Sequence, residues 1–279
     1  MPNFTQNIMK RVRNDWDAMI VITGEHGVGK STLMQQFGFE MDKHFDQKNN
    51  ISYIPTVKNI TEKFNAIQKF QVFGIDEAME VMYKQDFMKD FQKALIKMYA
   101  RERKQNKITI MCIPAFGDLS KTFRNTRVKY WIYVAERGHA VLLCRPPTPY
   151  SDDAWNLKLL NKDFDQTIKT KKVMNITSTE IINSLKSTPY FVEEFWFNDL
   201  PDDKKEIYHA CVTEERDKFY ASEAKTTKNK PYTFIQNIVA YLKDARHLSY
   251  EEIADIGGVY SLKHISRFHK NALAEEEQV

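Results

Sequence analysis

Cysteine is scarce. The 279-residue chain has three, Cys112, Cys144 and Cys211, far apart and in no metal-type spacing. That excludes a disulfide-framed scaffold and predicts three reduced packing residues. Long apolar runs are missing as well, and none is long enough to span a bilayer. The opening residues, Met1-Pro-Asn-Phe-Thr-Gln, lack the charged-then-apolar layout of a signal peptide. The expectation is an intracellular, cytoplasmic protein with no membrane span. Internal repeats and low-complexity tracts are absent, which excludes a solenoid. Charge of one sign is not in large excess. A net charge of +4 permits a nucleic-acid partner without demanding one.

Glycine is also sparing, at nine residues, yet three of them fall together. Gly24-Glu25-His26-Gly27-Val28-Gly29-Lys30-Ser31-Thr32 follows an apolar run and precedes a helical pattern. It fits the phosphate-binding loop G-x-x-x-x-G-K-[ST] without a gap. Glycines let the backbone curl so that several N–H groups point at one anion, and the helix that follows adds its positive end. The ammonium of Lys30 reaches β- and γ-phosphates, and the hydroxyl of Ser31 ligates Mg²⁺. His26 reads as a variable position whose backbone N–H does the binding. The nucleotide site therefore spans residues 24–32, with ATP and Mg²⁺ as the expected cofactors.

A second site is expected after the strand Val72-Phe-Gly-Ile75, which delivers Asp76 and Glu77 to the edge beside the loop. Asp76 would hold Mg²⁺ and Glu77 would polarise the attacking water. Gly74 interrupts the apolar strand and points to close backbone packing there. The transition state needs a cation near the γ-phosphate. Candidates are Arg101 and Arg103, ahead of the next strand, and Arg124 and Arg127, after it. Capping and surface solvation are the competing role for each.

Along the chain, helical spacing marks residues 4–15, 31–43, 59–69 and 87–103, and apolar runs mark strands at 19–22, 51–54, 70–75 and 108–113. Residues 44–50 read as a loop, and residues 128–134 and 140–144 as a hairpin around Glu136-Arg-Gly138-His. Strands alternating with helices predict an α/β fold, a mostly parallel central sheet flanked by helices. The predicted organisation is an ATPase core over 1–150, a mostly helical extension over 151–220 packed on it, a linker at 221–230, and a small all-α domain over 231–279. The linker rests on a decapeptide, residues 221–230, without a large apolar residue.

The last segment reads as a helix-turn-helix. Leu248-Ser-Tyr-Glu-Glu-Ile-Ala254 forms one helix, Gly257-Gly258 the turn, and residues 261–268 the next, with Ser249 and Glu252 at capping-box spacing. Lys263, His264, Arg267 and Lys270 would face phosphates or base edges of DNA. A protein-interaction domain with solvated basic residues is the alternative.

Residues 24–31, Asp76-Glu77, and the stretch from Tyr99-Ala-Arg101-Glu-Arg103 through Arg124-Asn-Thr-Arg127 to Val134 together resemble P-loop ATPases of the FtsK/HerA type. Zonular occludens toxin-like and viral DNA-packaging ATPases are the most similar within that group. The resemblance covers about residues 15 to 145. It implies the additional-strand (ASCE-type) P-loop NTPase fold and a homo-oligomeric ring that hydrolyses ATP to translocate or package DNA. Capsid or other mobile-element proteins would be further partners. Where such enzymes carry a polar residue at the end of the fourth strand, this chain has Cys112-Ile113-Pro114. Two other functions fit the residues: an ATP-gated DNA loader or transposition helper (AAA+-like), and a nucleotide-dependent regulator that moves no DNA.

Overall fold

The apolar run Ala18–Thr23 forms β1, near the middle of a seven-stranded sheet in a mixed α/β fold. The computed structural model describes residues 2–54, 56–76, 105–146, 154–156, 177–257 and 266. The other strands are β2 (Ile51–Ser52), β3 (Val72–Ile75), β4 (Ile108–Cys112), β5 (Tyr130–Glu136), β6 (His139–Cys144) and β7 (Phe191–Trp196). Their order across the sheet is β2-β3-β4-β1-β5-β6-β7. Strands β2 to β5 pair in parallel, and β6 and β7 continue antiparallel. One strand, β4, therefore separates β1 from β3.

Both faces of β1 are covered, which is why its sequence shows no polar alternation. Ala18, Ile20 and Ile22 point into one layer, and Met19 and Val21 into the other. Helix α1 (Pro2–Arg13) and helix α2 (Lys30–Met41) cover the first face with Ile8, Val12, Leu33 and Phe37. The short α3 (Gln47–Asn50) precedes β2. Helices α4 (Val57–Ala66) and α5 (Lys121–Thr126) cover the second face with Ile60, Phe64 and Phe123. Each such side chain contributes about 1.5–3 kcal/mol on burial. Gly74 faces the first layer. A Cβ there would stand 3.0 Å from Met34 Sδ and 3.2 Å from Ile51 Cγ1, so the missing side chain lets α2 lie close on β3.

Several expectations change. Residues 44–50 are not all loop: Asp46 accepts from Lys48 N at 2.6 Å and Asn49 N at 3.2 Å, and that cap starts α3. The region after residue 150 also contributes to the sheet and its core. It places the fully buried Trp155 in the second layer, adds α6 (Ser178–Lys186) and supplies β7. Pairing with β6 makes Phe191–Trp196 a strand, and no local pattern announces it. The expected linker is helix: α7 runs Asp202–Ala240. A stretch rich in Ala, Glu and Lys has good helix propensity, and its lack of large apolar residues does not make it a loop. The chain forms two compact units, 1–215 and 216–279.

In the second unit α8 (Tyr250–Gly257) has the predicted capping box. Ser249 N donates to Glu252 Oε2 at 2.7 Å, and Glu252 N donates to Ser249 Oγ at 3.2 Å. The helix expected over 87–103, Glu77, Arg101 and Arg103 lie outside the described residues, as do Lys263, His264, Arg267 and Lys270. No helix among the described residues is long and apolar enough to cross a membrane.

Candidate nucleotide site

The chain leaves β1 at Thr23 and turns through the glycine loop into α2. Gly24 has φ +148, and a Cβ on it would meet the carbonyl oxygen of Val134 at 2.5 Å. The loop is thus pressed against β5, the neighbour of β1, and only glycine fits at its first position. Gly29, the residue before α2, is left-handed at φ +99. Gly24 N donates to Pro114 O at 3.2 Å, which ties the loop to the end of β4. Val28 packs on the first layer and so fixes the crest of the loop from below.

These elements bound a cavity of about 250 Å³. The loop contributes His26, Gly27, Gly29, Lys30, Ser31 and Thr32. The end of β4 contributes Cys112, Ile113 and Pro114, and Arg137 and Tyr208 complete the wall. Lys30 stands at the first position of α2 and donates to Gly24 O at 2.8 Å and Glu25 O at 2.6 Å. Its ammonium is therefore held over the loop, where a phosphate bound by the loop's amides would meet it.

Asp76 follows β3 and is 2% exposed. Its Oδ1 accepts from Ser31 Oγ at 2.7 Å, and its Oδ2 accepts from Tyr208 Oη at 2.8 Å. Its own N–H donates to Ser52 O at 2.9 Å. The hydroxyl and the carboxylate lie 45 residues apart in sequence and meet because β3 and β1 end at the same edge of a parallel sheet. A hydroxyl and a carboxylate are the hard oxygen donors that Mg²⁺ takes together with substrate phosphates and water. The residues present fit a magnesium-nucleotide complex.

Tyr208 comes from α7 and rests edge-on against Tyr53, with ring centroids 5.6 Å apart. Burial, then the negative fields of Cys211 and Asp76, push the Tyr53 phenol far above its ordinary range. It stays protonated and donates to Gln47 O at 2.8 Å. Seven residues after Tyr208, Glu215 accepts from Tyr53 N at 3.1 Å and Asn59 Nδ2 at 3.2 Å, and pairs with Lys63 of α4. The start of α7 is thus fastened beside the site at two points.

Tyr208 was invisible in the sequence, because it lies 132 residues from the carboxylate it touches. Replacing it by phenylalanine keeps the ring and removes one hydrogen bond to a charged group, worth about 1.5–3 kcal/mol. Tyr208→Phe should raise the Mg²⁺ concentration needed for tight nucleotide binding by about tenfold or more. Its affinity for nucleotide in EDTA should not move. Titrating a fluorescent ATP analogue against both conditions checks this, and an unchanged Mg²⁺ midpoint refutes the role.

The arginines fall differently from the expectation. Arg124 donates to Gly117 O at 3.0 Å and to Leu119 O, bracing the turn after β4. Arg127 stands 4.0 Å from Asp17, just ahead of β5. Helix α5 has by then carried the chain back to the opposite edge of the sheet, so Arg127 does not reach the cavity. Among the described residues the arginine on the wall is Arg137, in the β5–β6 turn, where Nη2 donates to Asp199 Oδ2 at 2.8 Å. A signal for it existed: the hairpin was legible, and a hairpin whose first strand pairs with β1 must turn beside the loop.

Two solved structures overlap the chain loosely. One is replication initiator DnaA bound to AMPPCP and single-stranded DNA, 11% identical, covering 98% of this chain and 88% of that one, with a TM-score of 0.32. The other is AMPPCP-bound DnaA from Aquifex aeolicus, 10% identical, covering 98% and 87%, with a TM-score of 0.30. Neither overlap is close enough to carry a functional statement. No family model and no curated protein matches the chain.

Proposed function

We propose that this chain is an additional-strand P-loop ATPase that acts on DNA, in the manner the resemblance to FtsK/HerA-type motors implies. The observation that carries the reading is the 2.7 Å contact between Ser31 and Asp76 at the mouth of the glycine loop, with one strand between their own. The strand order supports it, since β4 sits between the loop strand and the carboxylate strand. Loop amides and Lys30 bind the phosphates. Ser31 and Asp76 would hold Mg²⁺, which when bound would neutralise phosphate charge. Glu77, the next residue in the chain, orients and deprotonates the attacking water. Arg137 supplies a positive charge at the cavity wall. Arg101 and Arg103 remain candidates for the cation at the γ-phosphate, and Arg124 and Arg127 act across a ring interface. The last segment, through Lys263, His264, Arg267 and Lys270, holds DNA.

Glu77→Gln separates binding from chemistry. The variant should take up Mg-ATP within about twofold of the wild type while phosphate release falls by about 10²–10⁴-fold, the usual loss with a general base. Phosphate release at the wild-type rate removes Glu77 from that role.

A second reading has its own support. Tyr208 ties the metal carboxylate to the long helix α7, which would let nucleotide state set the position of a helical element, as in an ATP-gated loader. ATP-dependent displacement of a third strand from a triplex favours the motor. Stable DNA complexes that form with ATP and release on hydrolysis, without displacement, favour the loader.

A further inference from the structure

The edge of the sheet away from the glycine loop gathers positive charge. The turns that lead into the parallel strands meet there. Asn106, ahead of β4, donates to Val12 O at 3.0 Å and to Asp15 Oδ1 at 3.0 Å, in the turn between α1 and β1. Lys69, ahead of β3, lies 3.8 Å from Asp15, and Arg127, ahead of β5, lies 4.0 Å from Asp17. Both carboxylates of that turn thus already face a cation.

Three more cations crowd the same edge. Arg145 follows β6 and is bridged both ways to Lys129: Arg145 N donates to Lys129 O at 2.9 Å, and Lys129 Nζ donates to Arg145 O at 2.9 Å. Arg11, in the last turn of α1, lies over the Trp16 ring, 4.5 Å from its centroid. The charges of Arg11, Lys129 and Arg145 all bear on Cys144. Burial, and then the neighbouring Arg11 charge, pull the Arg145 guanidinium below its ordinary range. Among the described residues no carboxylate lies within 4.0 Å of Arg11, Lys129 or Arg145. The buried Arg11 Nε has no hydrogen-bond partner there either.

Cations held together with no counter-charge among the described residues repel, and the arrangement is relieved by an anion. Trp16 beside them is 48% exposed. The other large exposed apolar side chains among the described residues belong to β7, α7 and Tyr241, so this edge lacks the broad apolar face of a membrane binder. A cluster of cations that faces no carboxylate among the described residues, with one open aromatic ring, is instead the chemistry of a backbone-tracking, base-stacking site.

We propose that this edge binds a single strand of nucleic acid, with phosphates on Arg11, Lys129 and Arg145 and a base stacked on Trp16. This surface is distinct from the nucleotide cavity, and its residues are not those assigned to DNA in the last segment. It does not depend on the ATPase reading.

The test uses the full chain and a fluorescein-labelled oligothymidylate, read by anisotropy over a salt series without nucleotide. The triple variant Arg11→Ala/Lys129→Ala/Arg145→Ala should bind about tenfold or more weakly, and its log–log salt slope should fall by about 2, given about 0.7 per phosphate contact on a single strand. The Arg11→Lys/Arg145→Lys variant, with Lys129 kept, should retain most of the slope. Trp16→Ala should cost about tenfold with little change of slope. Trp16 is 48% exposed and lies outside both core layers, so this variant decides the matter if the triple variant melts early. A Lys263→Ala/Arg267→Ala variant is measured alongside. The proposal is overturned if only that last variant loses affinity, or if folded Trp16→Ala and triple variants bind as the wild type does. Preference for phosphatidylserine vesicles over the oligonucleotide also overturns it.

Discussion

Lys30→Met should fold and melt like the wild type and yet bind Mg-ATP at least about 100-fold more weakly. Methionine keeps the unbranched stem that passes Gly24 and Glu25 and removes only the ammonium, which donates to both of their carbonyls. That ammonium does little for the fold, because the exposed Glu25 carbonyl returns to water when it goes and only one neutral acceptor, Gly24 O, is left short. For a bound triphosphate it is different. Its charge-assisted hydrogen bonds to phosphate oxygens are worth about 1.5–3 kcal/mol each, and two of them correspond to about two to four decades in Kd. Calorimetry with a non-hydrolysable ATP analogue and Mg²⁺ measures the loss. Wild-type affinity in the variant would mean that the loop is not the phosphate cradle. Absence of binding by the folded wild type would remove the ATPase reading altogether.

The largest effect on stability should come from a residue far from the loop in sequence. Glu215 sits on α7 and meets four donors at the end of β2: Tyr53 N, Ile54 N, Asn59 Nδ2 and Lys63 Nζ. The Lys63 and Glu215 side chains are only 19% and 17% exposed. Lys63 also donates to Lys48 O at 2.9 Å and Ile51 O at 2.5 Å, so it cannot swing out to water without breaking those bonds as well. Glu215→Ala leaves a poorly solvated ammonium and three further donors short of an acceptor. Breaking a buried pair by removing one partner costs about 3–5 kcal/mol, and the partial exposure here brings that to about 2–4 kcal/mol. A midpoint lower by about 5–15 °C is expected for a unit of this size. Glu215→Gln keeps an acceptor for the backbone amides and should lose about half as much. Thermal unfolding followed by circular dichroism checks both. A shift under 2 °C for the alanine variant would show that Glu215 is ornamental to the fold. The same variant should also weaken Mg²⁺-dependent nucleotide binding, because Tyr208 reaches Asp76 from the helix that Glu215 anchors.

These two residues mark the difference between what was legible in the sequence and what was not. The β1–loop–α2 unit was legible because each of its parts is decided locally. An unbroken apolar run makes a strand covered on both faces, glycines allow the loop's left-handed turns, and a helical pattern follows. The meeting of Ser31 with Asp76 was also expected, since parallel strands present their ends at one edge. The Ser249–Glu252 box was visible for the same local reason, a fixed spacing of three residues. In contrast, the apolar-poor stretch at 221–230 misled, because absence of large side chains tests exposure and not helicity.

Only the tertiary structure decided the rest. It chose Arg137 over Arg124 and Arg127 for the cavity wall, paired β7 with β6, brought Tyr208 to Asp76, and set Glu215 over Lys63. It also gathered Arg11, Lys129 and Arg145 at one edge from three separate elements. Contacts between residues more than a hundred positions apart leave no period or spacing to read, because sequence patterns record only what a side chain must do for its own turn or strand. What the sequence determined alone was the local chemistry of one anion cradle. What folding added was the set of distant side chains that close around it, selected by which helices return to which edge of the sheet.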